Sequence, residues 1–127
     1  MLNVWGSWCA PCVAEAPALQ QTWADLQADR VPVRFMGIDF REDPARGAAF
    51  ATKVGVTYLS LTDESGVAIL ALQGKAPTVP TTLVLDAQGR PLLRQVRLGR
   101  TEGDRVEILS GLMAGEQVVT DPQAATR

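Results

Sequence analysis

Apolar residues in the first third of the chain alternate between short runs and helical spacing. Residues 2–6 form an apolar run that ends in glycine, which predicts a buried β-strand. Residues 10–29 repeat apolar side chains at steps of three and four, which predicts a helix with one buried face, kinked at Pro17. Residues 31–40 are apolar on both faces from Phe35 onward, as in a parallel strand covered by helices on two sides. The beginning of the chain therefore predicts a strand–helix–strand unit.

Shorter elements follow this unit. They are predicted as a helix at 45–54, a β-rich stretch at 56–62, a turn at 63–66, a helix at 67–72, a loop with two prolines at 75–82, a strand at 82–86, a hairpin turn at 87–90 and its return strand at 92–98. A parallel strand–helix–strand unit followed by an antiparallel hairpin predicts an α/β fold. Its mixed central sheet is flanked by helices.

The stretch after Gly99 allows two interpretations. Residues 101–104 resemble a capping box, and the spacing of Val106, Leu109 and Met113 behind it predicts a helix. Glycines within this stretch weaken a helix, and Val106 and Ile108 alternate as they would in a strand. We predict the helix, with the strand as the alternative.

Composition narrows the classes of function. The chain has 127 residues, enough for one domain with a core, and its 46% hydrophobic content argues against disorder. The net charge of −2 argues against nucleic-acid binding through a basic surface. No apolar run approaches the ~18 residues that span a bilayer, and neither a signal peptide nor an anchor is recognised. The lack of histidine excludes Ser-His-Asp and Cys-His catalysis.

Both cysteines of the chain, Cys9 and Cys12, lie two residues apart at the start of the first predicted helix. At that spacing two thiols can close a small, reversible disulfide, and Pro11 between them fits a first helical turn. The helix N-terminus stabilises a thiolate, so Cys9, the first and more exposed residue, is the expected nucleophile. Cys12 is the expected resolving thiol. A static structural disulfide is the alternative, but so short a closed loop constrains the unfolded chain little.

The residues around this pair carry a family resemblance. Residues 4–17 read V-W-G-S-W-C-A-P-C-V-A-E-A-P and resemble the TlpA/ResA-like extracytoplasmic thioredoxins, with their W-C-x-P-C-x-x-E-x-P motif after a strand that contains Asn. Asn3 occupies the position of a buried Asp in ordinary thioredoxins, and residues 79–82 resemble the family's cis-proline loop. The resemblance covers roughly residues 2–93 and implies a thioredoxin-like fold.

The resemblance also implies a function and its residues. It implies a protein dithiol–disulfide oxidoreductase that uses no cofactor and no metal. Glu15 matches an acidic residue that tunes or relays protons near the pair, although a first-turn Glu also suits the helix dipole. A cis Pro80 would place the backbone of Val79 beside Cys9 to pair with substrate. The implied substrate-binding residues are Trp8, Pro11, Val79 and Pro80.

The resemblance further implies partners and a location. The partners are proteins with cysteines or disulfides, apocytochrome c among them, and a membrane or soluble thiol donor. The location is extracytoplasmic, on the periplasmic or cell-surface side.

Two rival functions are considered beside the oxidoreductase. One is a Cu(I)- or zinc-binding module on Cys9 and Cys12, which supply half of a tetrahedral zinc shell. The other is a non-catalytic interaction domain.

The chain departs from the family at both ends. The family's β-hairpin before the first core strand is absent, so the domain is predicted to be N-terminally truncated, with an unpaired sheet edge at residues 33–39. A second chain or residues 117–120 are expected to fill that edge, which predicts a monomer or an edge-strand dimer.

The C-terminal stretch after residue 96 resembles the closing segment of periplasmic adaptor (membrane fusion) subunits of efflux pumps. The predicted domains are therefore a thioredoxin-like unit at 1–98 and an adaptor-like segment at 99–121, followed by a flexible tail at 122–127. A last short strand is predicted at 118–120.

Overall fold

A computed structural model describes residues 1–94, 97–103 and 105–110. The elements follow in the order β1 (Leu2–Trp5), α1 (Ala10–Ala28), β2 (Met36–Phe40), α2 (Pro44–Val54), β3 (Leu59–Asp63), α3 (Val67–Ala71), β4 (Thr81–Leu85), β5 (Pro91–Arg94), β6 (Arg97–Glu102) and β7 (Arg105–Ser110). None of the described helices has the length and apolar character needed to cross a membrane. The predicted 118–120 strand and 122–127 tail lie outside the described residues.

Strands β1 to β5 form one mixed sheet in the order β3-β2-β1-β4-β5. β1 runs parallel to β2 and antiparallel to β4, and β5 returns antiparallel to β4. The prediction of an α/β fold with a mixed sheet and flanking helices is confirmed. Because β1 and β2 are parallel neighbours, with Trp5 paired to Asp39, their carboxyl ends meet at the same edge of the sheet. The loop that carries the cysteines starts at that edge.

The predicted open edge of the sheet is wrong. β3 lies parallel to β2 along its whole length, from the pair Met36↔Leu59 to the pair Phe40↔Asp63. The reason is long-range, because the chain returns after α2 and places its β-rich stretch where the missing strand was expected. β3 is therefore the outer strand, with Leu59 79% exposed. Residues 117–120 lie outside the described range, and the edge-strand dimer stays a prediction.

The helix predicted after Gly99 is also wrong, and the strand alternative is correct. β6 and β7 pair antiparallel in a separate two-stranded sheet, from Arg97↔Ser110 to Glu102↔Arg105. Gly103 lies between them with a φ of 61°, a left-handed conformation that glycine adopts without strain. The turn at this glycine decides against a helix. Of the predicted return strand at 92–98, residues 92–94 lie in β5 and residues 97–98 lie in β6.

Burial confirms the predicted amphipathic helix. Cys12, Ala16 and Leu19 are the buried residues of α1, and their spacing of four and three puts them on one face. Leu19 packs with Phe35 and Tyr58 in a cluster that fastens the middle of α1 to the sheet. A second cluster joins Trp5, Cys9 and Cys12. The cysteine pair is therefore part of the core.

Candidate active site

Cys9 and Cys12 are joined in a disulfide at the N-terminus of α1. Cys9 is the N-cap residue of the helix, and its Sγ accepts a hydrogen bond from the backbone N–H of Cys12 at 3.3 Å. Pro11 occupies the first turn, where its missing N–H leaves no helical hydrogen bond unmade. The backbone N–H of Cys12 has no acceptor within the helix and donates to the sulfur instead, which favours the thiolate once the disulfide is reduced.

Exposure of the two sulfur-bearing residues differs little. Cys9 is 5% exposed and Cys12 is 2% exposed, so both are buried, and the assignment of Cys9 as the nucleophile stays a prediction. Trp5 and Phe50 pack behind the pair, with ring centroids 5.6 Å apart. The disulfide therefore exposes little surface to solvent.

A proline loop borders the disulfide. The Val79–Pro80 peptide bond is cis, which confirms the prediction. The carbonyl oxygen of Val79 lies 3.9 Å from Cys9 Sγ, and the Val79 side chain packs against the cluster of Trp5 and the cysteines. A backbone group with hydrogen-bonding capacity thus lies directly beside the sulfur.

Trp8 lies in the loop between β1 and α1 and is 52% exposed. Its indole Nε1 donates a hydrogen bond to the carbonyl oxygen of Phe40 at 2.8 Å. Gly6 makes room for the ring, because a Cβ on Gly6 would lie 2.4 Å from that nitrogen. Pro11 and Val13 are exposed as well. Trp8, Pro11 and Val13 are therefore exposed apolar residues that flank the two cysteines in the chain, and we call them the rim.

Glu15 is tied to the centre of the sheet. The buried Asn3 donates from Nδ2 to Glu15 Oε1 at 3.2 Å and to Thr82 Oγ1 at 3.1 Å. Burial, and secondarily the charge of Glu15, raises the pKa of Tyr58 to about 12. Glu15 thus lies one turn beyond Cys12 on the inner side of α1, where its carboxylate affects neighbouring buried groups.

A small cavity lies behind Cys12. Its volume is about 10 Å³, close to the space that one water molecule needs, and Asn3, Cys12 and Tyr58 contribute to its walls. Asn3 Oδ1 is buried and has no hydrogen-bond partner among the described residues. The inner side of Cys12 therefore faces a polar amide and a small cavity.

Two further carboxyl groups lie below the loop, and sequence reasoning missed both. Asp39 is 3% exposed and Glu42 is 8% exposed. The backbone N–H of Ser7 donates to Glu42 Oε1 at 2.6 Å, and the Ser7 hydroxyl donates to Glu42 Oε2. Asp39 and Glu42 share a side-chain hydrogen bond. Glu42 thus holds the residue that precedes Trp8 and Cys9.

Burial raises the pKa of Asp39 to about 7, and the hydrogen bond with Glu42 and the charge of Glu42 contribute further. Burial alone would raise the pKa of Glu42, but hydrogen bonds from Asp39 and Ser7 and the charge of Arg46 lower it overall. One proton shared by the two carboxyl groups near neutral pH is the physical consequence.

This proton makes stability depend on pH. The pKa of Asp39 is higher in the folded chain, about 7 against 3.8, so the folded state binds more protons between these values. We expect the free energy of unfolding to fall, relative to that of Asp39→Asn, as the pH rises through this window. Urea unfolding at several pH values measures it. Glu64→Gln, at an exposed turn position, is the control that keeps the wild-type slope. Parallel pH curves for wild type and Asp39→Asn would contradict the prediction.

Comparison with known proteins agrees with this geometry. The profile of the AhpC/TSA family matches residues 1–90, which is well over half of the chain. The chain belongs to the AhpC/TSA family. The thiol:disulfide interchange protein HelX of Rhodobacter capsulatus is 33% identical over 94 residues, which cover 74% of this AhpC/TSA chain and 49% of HelX. DsbE of Escherichia coli K12 is 31% identical over 90 residues, covering 70% and 44% respectively. The chain thus spans about half the length of the curated relatives it matches.

Solved structures share the fold. A secreted thiol-disulfide isomerase from Corynebacterium glutamicum is 40% identical, with a TM-score of 0.64 and coverage of 71% of this chain and 56% of that one. A secreted Mycobacterium tuberculosis disulfide oxidoreductase homologous to E. coli DsbE is 31% identical, with a TM-score of 0.61 and coverage of 71% and 63%. The predicted thioredoxin-like fold of this AhpC/TSA chain is confirmed.

A second profile matches the C-terminal part. The C-terminal permuted SH3 domain of RND membrane fusion proteins matches residues 69–124, less than half of the chain and overlapping the AhpC/TSA match. This weak match does not establish an efflux adaptor segment. The adaptor-like segment at 99–121 and its boundary therefore stay predictions for this AhpC/TSA chain.

The fold gathers most of the predicted site residues of this AhpC/TSA chain. Cys9, Cys12, Val79 and Pro80 meet at the start of α1, with Trp8 and Pro11 at the exposed rim and Glu15 on the inner side. Within the part of the chain that is described, no cluster of three His, Cys, Asp or Glu side chains could hold a metal ion. The tetrahedral zinc site considered from sequence thus lacks its further ligands there.

One sequence signal could have revealed the missed acidic pair. Asp39 is the one charged residue in the apolar run at 35–40, which was predicted to be covered on both faces. A buried charge in such a strand requires a partner. The partnership of Glu42 with Ser7 had no local signal, because 35 residues separate them.

Proposed function

We propose that this chain is a thiol–disulfide oxidoreductase that acts on protein disulfides through Cys9 and Cys12. One observation carries the proposal: the sulfur of Cys9 caps the N-terminus of α1 and lies 3.9 Å from the Val79 carbonyl of the cis-proline loop. The sulfur thus combines a thiolate-stabilising helix end with a backbone group that can hold an extended substrate. The relatives that carry thiol:disulfide interchange names support the same activity.

The reaction balances as two exchange steps. The Cys9 thiolate attacks one sulfur of a substrate disulfide, forms a mixed disulfide and releases the other substrate sulfur as a thiolate. Cys12 loses its proton and attacks Cys9 Sγ, which closes the Cys9–Cys12 bond and releases the second substrate thiol. Two electrons pass from the pair to the substrate. A dithiol donor then attacks the Cys9–Cys12 disulfide through a mixed disulfide of its own, leaves as an oxidised disulfide and restores the reduced pair.

The rim and the proline loop bind the substrate in this proposal. The backbone of Val79 pairs with an extended segment next to Cys9, in the manner of an added β-strand. Trp8 and Pro11 offer exposed apolar surface to the residues that flank the substrate cysteine. Pro80 is buried and holds the loop in place.

Glu15 assists Cys12 in this proposal. Its side chain is partly buried and accepts a hydrogen bond from Asn3, whose side chain lines the same cavity as Cys12. A carboxylate on this side of the helix can take up the proton that Cys12 must lose before it attacks. Asn3 itself cannot act as a base, since an amide does not titrate in this range.

The partners and location are also proposals. We infer an extracytoplasmic site of action, supported by the secreted C. glutamicum and M. tuberculosis proteins of the same fold. The inferred substrates are cysteine-containing proteins, apocytochrome c among them, and the inferred electron donor is a membrane or soluble thiol protein. A reversible dithiol pair facing an external thiol donor fits a compartment where disulfides form and persist.

Insulin reduction with dithiothreitol as donor tests the proposed function. We expect the protein to accelerate reduction at least several-fold over dithiothreitol alone, because thiolate at a helix N-terminus is abundant near neutral pH. The same protein alkylated at both cysteines is the control. A rate equal to that of dithiothreitol alone would refute the activity. Copper or zinc that copurifies with the reduced protein, with no reductase activity, would instead favour the metal-binding alternative.

A further inference from the structure

The loop that carries the nucleophile is anchored to the turn after β2. Glu42 accepts both hydrogen-bond donors of Ser7, the backbone N–H at 2.6 Å and the hydroxyl. The indole Nε1 of Trp8 donates to the Phe40 carbonyl at 2.8 Å. Cys9 is the next residue along the chain. We call the contacts of Ser7 with Glu42 and of Trp8 with the Phe40 carbonyl the anchor. Its position therefore sets where Cys9 Sγ lies relative to the proline loop.

We propose that Asp39 and Glu42 are positioning residues for Cys9. The proton that the two carboxyl groups share keeps Glu42 in place as the double acceptor of Ser7. Loss of that proton loosens the loop and lowers the reactivity of the Cys9 thiolate. The inference rests on the proposed function of the pair and adds a proton-dependent control to it.

Packing makes the two carboxyl groups a closed unit. Asp39 lies on β2, between β3 and β1 in the sheet. It fits against Gly47 of α2 so closely that a Cβ there would meet Asp39 Oδ2 at 1.7 Å. Asp39 Oδ1 is buried and has no hydrogen-bond partner among the described residues. The Asp39 carboxyl group is therefore confined when the shared proton leaves, and Glu42 beside it is 8% exposed. Repulsion between them acts on Glu42 and through it on Ser7.

The charged groups around the pair do not replace this proton. From α2, Arg46 lowers the pKa of Glu42 by its charge. Arg41, in the turn after β2, places its guanidinium 5.2 Å from the centre of a neighbouring phenyl ring, and Asp43 caps α2. The described loop at 6–9 contributes no ionisable side chain other than Cys9. The pKa of Asp39 is about 7, so ionisation of Asp39 is the change in charge next to the anchor near neutral pH.

The Asp39→Asn variant distinguishes two roles of Asp39. In one, the shared proton positions Cys9; in the other, the side chain only supports the fold. The side-chain N–H group of asparagine donates to a carboxylate at every pH, so Asp39→Asn keeps the anchor permanently closed. Glu42→Gln keeps the shape but loses one of two carboxylate acceptors. Glu64→Gln removes a charge at an exposed turn position. The side chains of Asp39, Glu42 and Ser7 are left unchanged in this variant.

The test measures Cys9 alkylation by iodoacetamide in the reduced proteins from about pH 5 to about pH 9, divided by the thiolate fraction from its ultraviolet absorbance. In wild type we expect this normalised rate constant to fall about tenfold around pH 7, the size of a lost hydrogen bond to a charged acceptor. Asp39→Asn should keep the high value throughout, Glu42→Gln should be low throughout, and Glu64→Gln should follow wild type. A wild-type curve without this step, or the same step in Asp39→Asn, would overturn the proposal.

A second measurement uses the wild type alone and so decides the proposal even where a variant does not fold. Carboxyl carbon resonances of Asp39 and Glu42 are titrated by NMR together with the Trp8 indole N–H and Ser7 amide resonances. We expect the loop resonances to shift with the midpoint of Asp39, and loop resonances that stay constant through that midpoint would overturn the proposal. The titration involves no substrate. If the loop resonances follow the ionisation of Asp39 but the protein does not reduce insulin, only the proposed function is refuted. Insulin reduction without coupling would refute only this inference.

Discussion

Cys9→Ser abolishes catalysed insulin reduction and lowers the rate to that of dithiothreitol alone. A serine hydroxyl cannot form the mixed disulfide. The one thiol that remains, Cys12, is only 2% exposed and is not the helix cap. The measurement is the insulin assay on wild type and Cys9→Ser at equal concentration. Equal rates for the two proteins would remove Cys9 from the mechanism.

Cys12→Ser is the matched control for this prediction. It keeps the Cys9 thiolate at the helix N-terminus but lacks the thiol that releases the substrate. We expect it to accumulate a mixed disulfide with insulin chains, visible by mass spectrometry and removed by excess dithiothreitol. Adducts in Cys9→Ser rather than in Cys12→Ser would reverse the two assigned roles. Both variants should fold, because each replacement is close to cysteine in size.

Gly47→Ala has the largest expected effect on stability. A Cβ at this position would lie 1.7 Å from Asp39 Oδ2 and 2.6 Å from its Cγ, closer than atoms can approach. Alanine adds about 1 kcal/mol of helix propensity, but overpacking costs about 1–3 kcal/mol. Displacing a buried carboxyl from its hydrogen bond costs about 1–3 kcal/mol more. We expect the free energy of unfolding in urea to fall by about 1–5 kcal/mol.

A double-mutant cycle isolates the contact behind that loss. In an Asp39→Ala background the carboxyl group is gone, so the added methyl group of Gly47→Ala meets open space. We expect the second substitution to be neutral or slightly stabilising there, by helix propensity. An equal loss in both backgrounds would show that something other than Asp39 excludes a side chain at this helix position.

Local spacing predicted the reactive part of this protein. Cys9 and Cys12 are separated by two residues and follow an apolar run, so the sequence alone placed them at the start of a helix. The motif around Pro80 predicted its cis peptide bond through a family resemblance. These features could be predicted because each depends on residues close together in the chain. The helix at 45–54 and the strand at 82–86 were correct for the same reason.

Long-range pairing decided what spacing could not. β3 pairs with the outer side of β2 because the chain returns there after α2. The sequence of neither strand specifies which strand lies beside it. Ser7 and Glu42 meet across 35 residues, so the carboxyl anchor under the loop had no local pattern. The sequence by itself determined the cysteine pair, its helix and the proline loop. The tertiary structure alone decided which buried carboxyl groups hold that pair in position, because burial and proximity arise only when β2 packs against α2.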